Sequence, residues 1–307
     1  MKMKKLISAM TAVAVTVGSM TVFAAFSDVS EYSASYRAIN ELEQLKIADG
    51  DENGNFNPGR LLTRAEFAKL VVSALGEDNV AQALTETSFE DCAGHWAAGY
   101  IETGVTDGFI SGYSYTEFGP DDTVTYAQAV KMLVSAIGYT EYAENLGGWP
   151  GGYITYGDKL GITKYISGAK NDTEITRELA AVLVDNTIKI PLNVVVYHNP
   201  NKSSQVLDGK EGRDYGTLLT DRHNAYIVKG RVIETRSLNK GLSGDEVTYQ
   251  IEVSDNFDGR AYSKTTEPVR MKVGSTAAKD YLFYYTEAIV RKDKMTDEYT
   301  ILTIDVK

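Results

Sequence analysis

Part of this chain repeats itself. Displaced by 62 positions, Gly50 falls on Gly112, Phe56 on Phe118, Pro58 on Pro120 and Thr63 on Thr125, while LVVSALG (Leu70 to Gly76) falls on MLVSAIG (Met132 to Gly138). One extra residue in the gap brings FSDV at Phe26 onto FEDC at Phe89. A shorter third copy, LGITKYISGAKNDTEITRELAAVLVDNTI, sets Thr176-Arg177 on Thr63-Arg64. Such a period marks one supersecondary unit used several times, each copy leaning on its neighbours. The unit reads as helix, glycine-rich loop, helix. YRAINELEQL and HWAAGYIETGVTDG form first helices that end near Gly50 and Gly112, and the second helices present Phe67, Val71, Ala74 and Leu75, or Ala129, Leu133, Ala136 and Ile137, on one apolar face.

The loop between the helices invites a calcium reading, because Asp49, Asp51, Asn53 and Gly54 match the opening of an EF-hand loop. Position 12 should then be a bidentate glutamate and is Arg60. The second copy, SGYSYTEFGPDDTVTYAQA, keeps the glycine, the Phe-x-Pro and the helix start without the carboxylates. What recurs is a turn, for which Asp, Asn and Gly suffice on backbone grounds, and no metal site is expected. The helix starts carry S/T-x-x-E/Q capping boxes, Thr63 with Glu66 and Thr125 with Gln128. Capping does not account for Arg64 and Arg177. A cation in the first turn sits at the positive end of the helix dipole, yet with free N–H groups beside it an arginine there makes an anion site; the bland alternative is a solvated surface arginine.

MKMKKLISAMTAVAVTVGSMTVFAA has the basic start, apolar run and small-residue ending of a secretory signal cut after Ala24, and no other stretch could span a bilayer. Cys92 is the single thiol, so no intramolecular disulfide can form even in an oxidising destination. From Ala25 to Ile190 there are 25 acidic against 11 basic residues, net -14, whereas residues 191–307 hold 17 of each. That shift, and Pro191, put a boundary near residue 190. So acidic a domain would repel the phosphates a general nucleic-acid binder must neutralise.

FSDV and TRAEF in the first copy, FEDC, Trp96 and FGP in the second, and ITREL in the third resemble the S-layer homology domain, over about Phe26 to Ile190. The resemblance implies three repeats, residues 25–80, 81–140 and 141–190, arranged with pseudo-threefold symmetry as an all-α domain around a central helical bundle. Ligand grooves would lie between the repeats. It also implies noncovalent attachment to secondary cell wall polymer through an anionic, pyruvylated sugar. Carried over by position, the polymer-binding residues are the FxDV aspartates Asp28 and Asp91, the aromatic Trp96, the loop glycines Gly50 and Gly112, and the arginines Arg64 and Arg177. The departures are Ala34 where the second copy has Trp96, Tyr126 where an arginine belongs, and a third copy that lacks FxDV and opens on GGWPGGYITYGDKLGI.

After NPNKSSQVLDGKEGRD the period becomes two. EVTYQIEVS alternates cleanly, and AYIVKGRVIET, YLFYYTEAIV and YTILTIDVK read as strands joined by NKGLSGD and DNFDG. Residues 191–307 are therefore expected to form a small antiparallel β-barrel or sandwich, the OB fold among the options, giving a multidomain α plus β chain that also reads as the front of a longer protein. Catalytic signals are thin. SLNK (Ser237 to Lys240) matches S-x-x-K without the accompanying motifs, Cys92 and His95 have no counterpart in the first copy, and His95, His198 and His223 lack metal-ligand spacing. The expectation is a secreted, non-enzymatic, cofactor-free wall anchor whose partner is secondary cell wall polymer. The alternative is a surface-layer subunit that also contacts its own kind through the β domain.

Overall fold

The computed structural model describes residues 26–198, 201–206, 216–254, 268–274, 276 and 278–307. The signal segment and the DNFDG loop lie outside them. Helices occupy the first part: α1 (Tyr36–Gln44), α2 (Arg64–Ala74), α3 (Asp78–Ala83), α4 (Ala98–Thr106), α5 (Tyr126–Ala136), α6 (Thr140–Asn145), α7 (Gly151–Leu160) and α8 (Arg177–Ile188). A hairpin, β1 (Asn193–His198) with β2 (Asn201–Val206), and the short α9 (Leu218–Asp221) lead to strands β3 (Ala225–Thr235), β4 (Glu246–Ser254), β5 (Val269–Lys272), β6 (Tyr285–Lys292) and β7 (Tyr299–Val306). The chain is thus a helical body followed by a mixed sheet.

Pairs α1/α2 and α4/α5 are the first two helix–loop–helix units, α7/α8 is a third helix pair in the place of the expected third copy, and α3 and α6 fill the connections. The third copy's first helix, α7, aligns with α4 once Trp149 is set on Trp96. Gly152 then falls on Gly99, and each lies so close to a carbonyl of the preceding short helix (Ala143 O, Ala81 O) that a Cβ would come within 2.2 and 2.0 Å of it. In each of the first two copies the FxDV phenylalanine packs on the Phe-x-Pro phenylalanine, Phe26 on Phe56 at 5.3 Å and Phe89 on Phe118 at 5.6 Å between ring centres. Glycine is required beneath these rings, since a Cβ on Gly50 or Gly112 would stand 2.5 or 2.3 Å from the Phe26 or Phe89 ring.

The three copies are tied head to tail. Leu62 donates its N–H to Ile175 O (3.1 Å), Ile175 to Val124 O (3.1 Å) and Val124 to Leu62 O (3.0 Å), so three backbone bonds close a ring, and all three side chains are buried. Two residues further on, the helix starts make a second set of such bonds, running the other way round the ring. Arg64 N–H goes to Asp122 O, Tyr126 N–H to Thr173 O and Arg177 N–H to Arg60 O, each at 2.8 Å. This corrects one expectation. In α2, Ala65 N–H goes to Pro120 O, Glu66 N–H to the Thr63 hydroxyl and Phe67 N–H to Thr63 O, so the first-turn amides are spent on the neighbouring repeat and the cap.

Both capping boxes form, Thr63 with Glu66 and Thr125 with Gln128; Thr176 caps Leu179 N–H alone. Replacing Thr63 by Ala is expected to lower the unfolding free energy in urea by about 1 kcal/mol.

The alternation in β4 places Val247, Tyr249 and Ile251 in the sheet's interior, each fully buried. β3 pairs with β4 and β6, β5 with β4 and, in parallel, β7, and β7 with β6, so the ladder closes in the order β3-β4-β5-β7-β6. The short β5 is missing from the sequence reading, and β6 starts four residues later than YLFYYTEAIV suggested. The polar stretch after residue 198 carries β2, because a hairpin needs only backbone partners. Helical body and sheet touch: Leu218, Leu219, Ala225, Ile289 and Leu302 join the apolar core of the helices, His223 Nε2 lies 2.9 Å from Ala74 O at the end of α2, and Arg37 of α1 donates to Glu287 of β6 at 2.7 Å.

Candidate functional site

Two clefts of about 320 Å³ each open between the repeats, within the size range of small-ligand sites. They are built alike. The first has as its floor the first copy's loop, Ile47 to Gly50 with Phe56, and the second has Phe109 to Gly112 with Phe118. One wall is the second helix of the same copy, which contributes Glu66, Lys69 and Leu70 or, 62 positions on, Gln128, Lys131 and Met132. An arginine enters from a neighbouring copy, Arg177 into the first cleft and Arg64 into the second. A tryptophan from the remaining copy stands at the rim, Trp96 at the first and Trp149 at the second, and both are about half exposed.

The arginines are positioned by the loops they enter. Arg64 Nε donates to Phe118 O at 2.9 Å and Nη2 to Ser111 O at 3.3 Å, and its guanidinium carbon lies 4.4 Å from the Tyr113 ring centre and 4.3 Å from that of Phe118. Arg177 matches it, with Nε to Phe56 O at 2.7 Å, Nη2 to Asp49 O at 3.0 Å and the Phe56 ring at 4.6 Å. Arg64 is 4% exposed, so it is no solvated surface cation. Burial lowers its pKa from the ordinary value, with Tyr113, Asp122 and Asp91 opposing, but a guanidinium keeps its charge in any protein environment. Two of its five N–H groups go to carbonyls, which leaves up to three for a ligand.

The other sequence-chosen residues take different posts. Asp28 accepts the N–H groups of Phe56 and Asn57, and Asp91 those of Phe118 and Gly119, all between 2.7 and 3.0 Å. They clamp the Phe-x-Pro turn that the arginine grips from the other side, and neither lines a cleft. Gly50 and Gly112 line the floors. Asp51 spends its carboxylate on Asn53 and Asn55 N–H and the Asn57 amide, closing the EF-hand-like loop as an Asx-type turn. Arg60, at the position of the expected bidentate glutamate, forks onto Glu66 at 3.0 and 2.7 Å.

Lys69, Lys131, Tyr113 and Trp149 escaped the sequence reading. The lysines were findable, since Lys69 falls on Lys131 at the same 62-position shift; Trp149 needed the break in register before the third copy. At the third inter-repeat position the parts are replaced. Tyr126 stands for the arginine, Tyr165 for the loop glycine, Val182 for the lysine and Ala34 for the tryptophan, while Asn186 Nδ2 takes the Lys164 carbonyl at 2.8 Å. Cys92 is buried, with its thiol pushed up to about 12 by burial and by Asp91, which disarms it as a nucleophile.

Against this geometry the comparisons are direct. Residues 25–68 and 88–130 match the S-layer homology domain. The chain is 31% identical over 198 residues to the surface layer protein of Brevibacillus choshinensis, covering 62% of this chain and 17% of that protein. It is 32% identical over 110 residues to the cellulosome-anchoring protein of Acetivibrio thermocellus (35% and 25%), and 28% over 144 residues to an endoglucanase of a Bacillus strain (47% and 15%). The chain thus spans a quarter or less of each of these relatives. Two S-layer homology segments, with surface-layer and anchoring relatives, place the chain at the cell wall or cell surface. Among the described residues no helix is long and apolar enough to cross a membrane.

Proposed function

We propose that this chain anchors an exported protein noncovalently to the cell wall by holding secondary cell wall polymer, anionic through its pyruvylated sugars, in its inter-repeat clefts, and that it is not itself an enzyme. The carrying observation is the duplicated cleft, in which a fixed guanidinium, a lysine and a rim tryptophan converge from three different repeats. Guanidinium and ammonium suit a carboxylate, and an exposed indole offers a flat apolar face to a sugar ring. On this reading Arg64, Arg177 and Trp96 contact polymer, Gly50 and Gly112 let it approach the loop backbone, and Asp28 and Asp91 hold that loop in place.

The head-to-tail ring supports a pseudo-threefold domain of repeats 25–80, 81–140 and 141–190, of which the third groove is silent. The strand order, with its single parallel pair, supports an OB-like module in residues 191–307. Co-sedimentation tests the anchor. The mature chain is expected to pellet with purified walls and to stay in solution once the nonpeptidoglycan polymer has been stripped from them; equal pelleting with stripped walls would refute the reading. Lateral assembly through the β module is favoured by surface-layer relatives alone, and sedimentation velocity showing oligomers at micromolar concentration would support it.

A further inference from the structure

The two clefts share a plan but differ in charge. The first is lined by Arg60, Lys69 and Arg177 and equally by Asp49, Asp51 and Glu66. The second is lined by Arg64 and Lys131 and, among the described residues, by no carboxylate. Position by position the acids have gone: Ser111 stands for Asp49, Tyr113 for Asp51 and Gln128 for Glu66. In the first cleft the Arg60 guanidinium is forked onto Glu66, and the same carboxylate lies near enough to Arg177 to be felt by it. In the second, no carboxylate among the described residues lies within 4.0 Å of either cation. Asp91 and Asp122 act on Arg64 from outside the cleft, and the Asp91 oxygens are already occupied by Phe118 and Gly119 N–H. Arg64 lies between two rings, whereas Arg177 has one. Lys131 Nζ stands 5.8 Å from the ring centres of both Trp149 and Tyr153, with the Ser111 hydroxyl at 3.5 Å.

An anion entering the second cleft meets two cations with no competitor. One entering the first must displace or face three carboxylates. Resting on the anchor reading above, we propose that the clefts divide the polymer between them: the second takes the carboxylate-bearing sugar, and the first takes a sugar without net charge. Lys131 and the Glu66/Gln128 exchange set this division. The chain would thereby recognise a polymer that carries both kinds of residue rather than any dense anion.

The protein supplies its own reporters, because its two tryptophans sit one at each cleft. The full-length mature Trp149→Phe variant reads the first cleft through Trp96, and Trp96→Phe reads the second through Trp149. Each is titrated by fluorescence with a synthetic pyruvyl-ketal hexoside and with its methyl ester, which differs only in charge. Trp149 is expected to respond to the acid at a concentration at least about ten-fold below that needed for the ester, the scale of one charged hydrogen bond. Trp96 should respond to both within about three-fold. Adding Lys131→Met should narrow the preference at Trp149, the Arg64 guanidinium retaining part of it, and adding Glu66→Gln should create one at Trp96. Equal preference for the acid at both reporters would overturn the division and leave the anchor reading standing. If neither reporter responds to either compound, the sugar-cleft reading itself falls, and this inference with it.

Discussion

Replacing Lys189 with methionine is expected to cost about 3 to 5 kcal/mol of unfolding free energy, the penalty for stripping a buried carboxylate of its cation. Lys189 Nζ donates to Asp185 Oδ2 at 2.7 Å and to Glu41, and Glu41 is fully buried. Glu41 also accepts from Arg37 Nε at 2.6 Å, and Arg37 continues to Glu287 on β6, which Lys229 and Lys307 flank. The network thus crosses from the helical body into the sheet.

Its pH dependence has two limbs. Burial alone would raise Glu41, but Lys189 and Arg37 outweigh it and hold the group below the usual range. Glu287, likewise opposed by burial, is held at about 2 by Arg37 and Lys307. A depressed carboxylate adds stability above its unfolded pKa and loses it as pH falls through the folded value, so Glu287 fails between roughly pH 4.5 and 2, and Glu41 likewise on the acid side of its ordinary value. Asp185 is raised well above the ordinary value by burial and by Glu41. Its contribution has the opposite sign, fully present at low pH and lost as pH rises through the folded value. Urea unfolding followed against pH should therefore show a maximum on the acid side of neutrality. Asp185→Asn should flatten the alkaline limb and spare the acid one. A Lys189→Met protein as stable as the parent would show that the cluster carries no net stabilisation.

The second large effect is that of Arg64→Ala, expected to lower stability by about 3 kcal/mol as well as to empty the second cleft. The sequence argues otherwise, because a cation leaving the positive end of a helix should cost nothing or help slightly. Burial reverses the sign. The variant loses two charged hydrogen bonds to loop carbonyls and the contact with two rings, each bond worth roughly 1.5 to 3 kcal/mol, against a fraction of a kcal/mol returned by the dipole. Arg64→Lys keeps the charge but not the planar fork, so it should recover part of the sugar binding and little of the stability. Chemical denaturation and the Trp149 titration separate the two losses.

Much of the helical body was legible in the sequence because its signals are local. A capping threonine is followed three residues on by Glu66 or Gln128, and the loop glycine stands six residues before the Phe-x-Pro phenylalanine in both of the first two copies. The repeat turned those local signals into a global one. What stayed hidden depends on which copy faces which. Nothing in TRAE says that Arg64 reaches forward into the second copy's loop, or that Arg177 reaches back into the first's. The same ignorance of neighbours left a solvated Arg64 open as an alternative and made its helix-start amides look free. In the β half, alternation marked four strands, but β5 has only four residues, too few for a period of two to stand out.

The ring of bonds among Leu62, Val124 and Ile175 bears on how the proposed anchor would fail. A linear stack of repeats has end units with one neighbour missing, and under load or dilution it frays from there, shedding its weakest member first. A closed circuit has no end unit. Each copy supplies the arginine or tyrosine that braces another copy's loop, so opening one loop slackens a brace elsewhere, and the loss of any member removes support from both others. Partial detachment is thereby closed off. Under rising tension a domain that holds polymer as proposed is expected to keep its grip whole until it releases all at once.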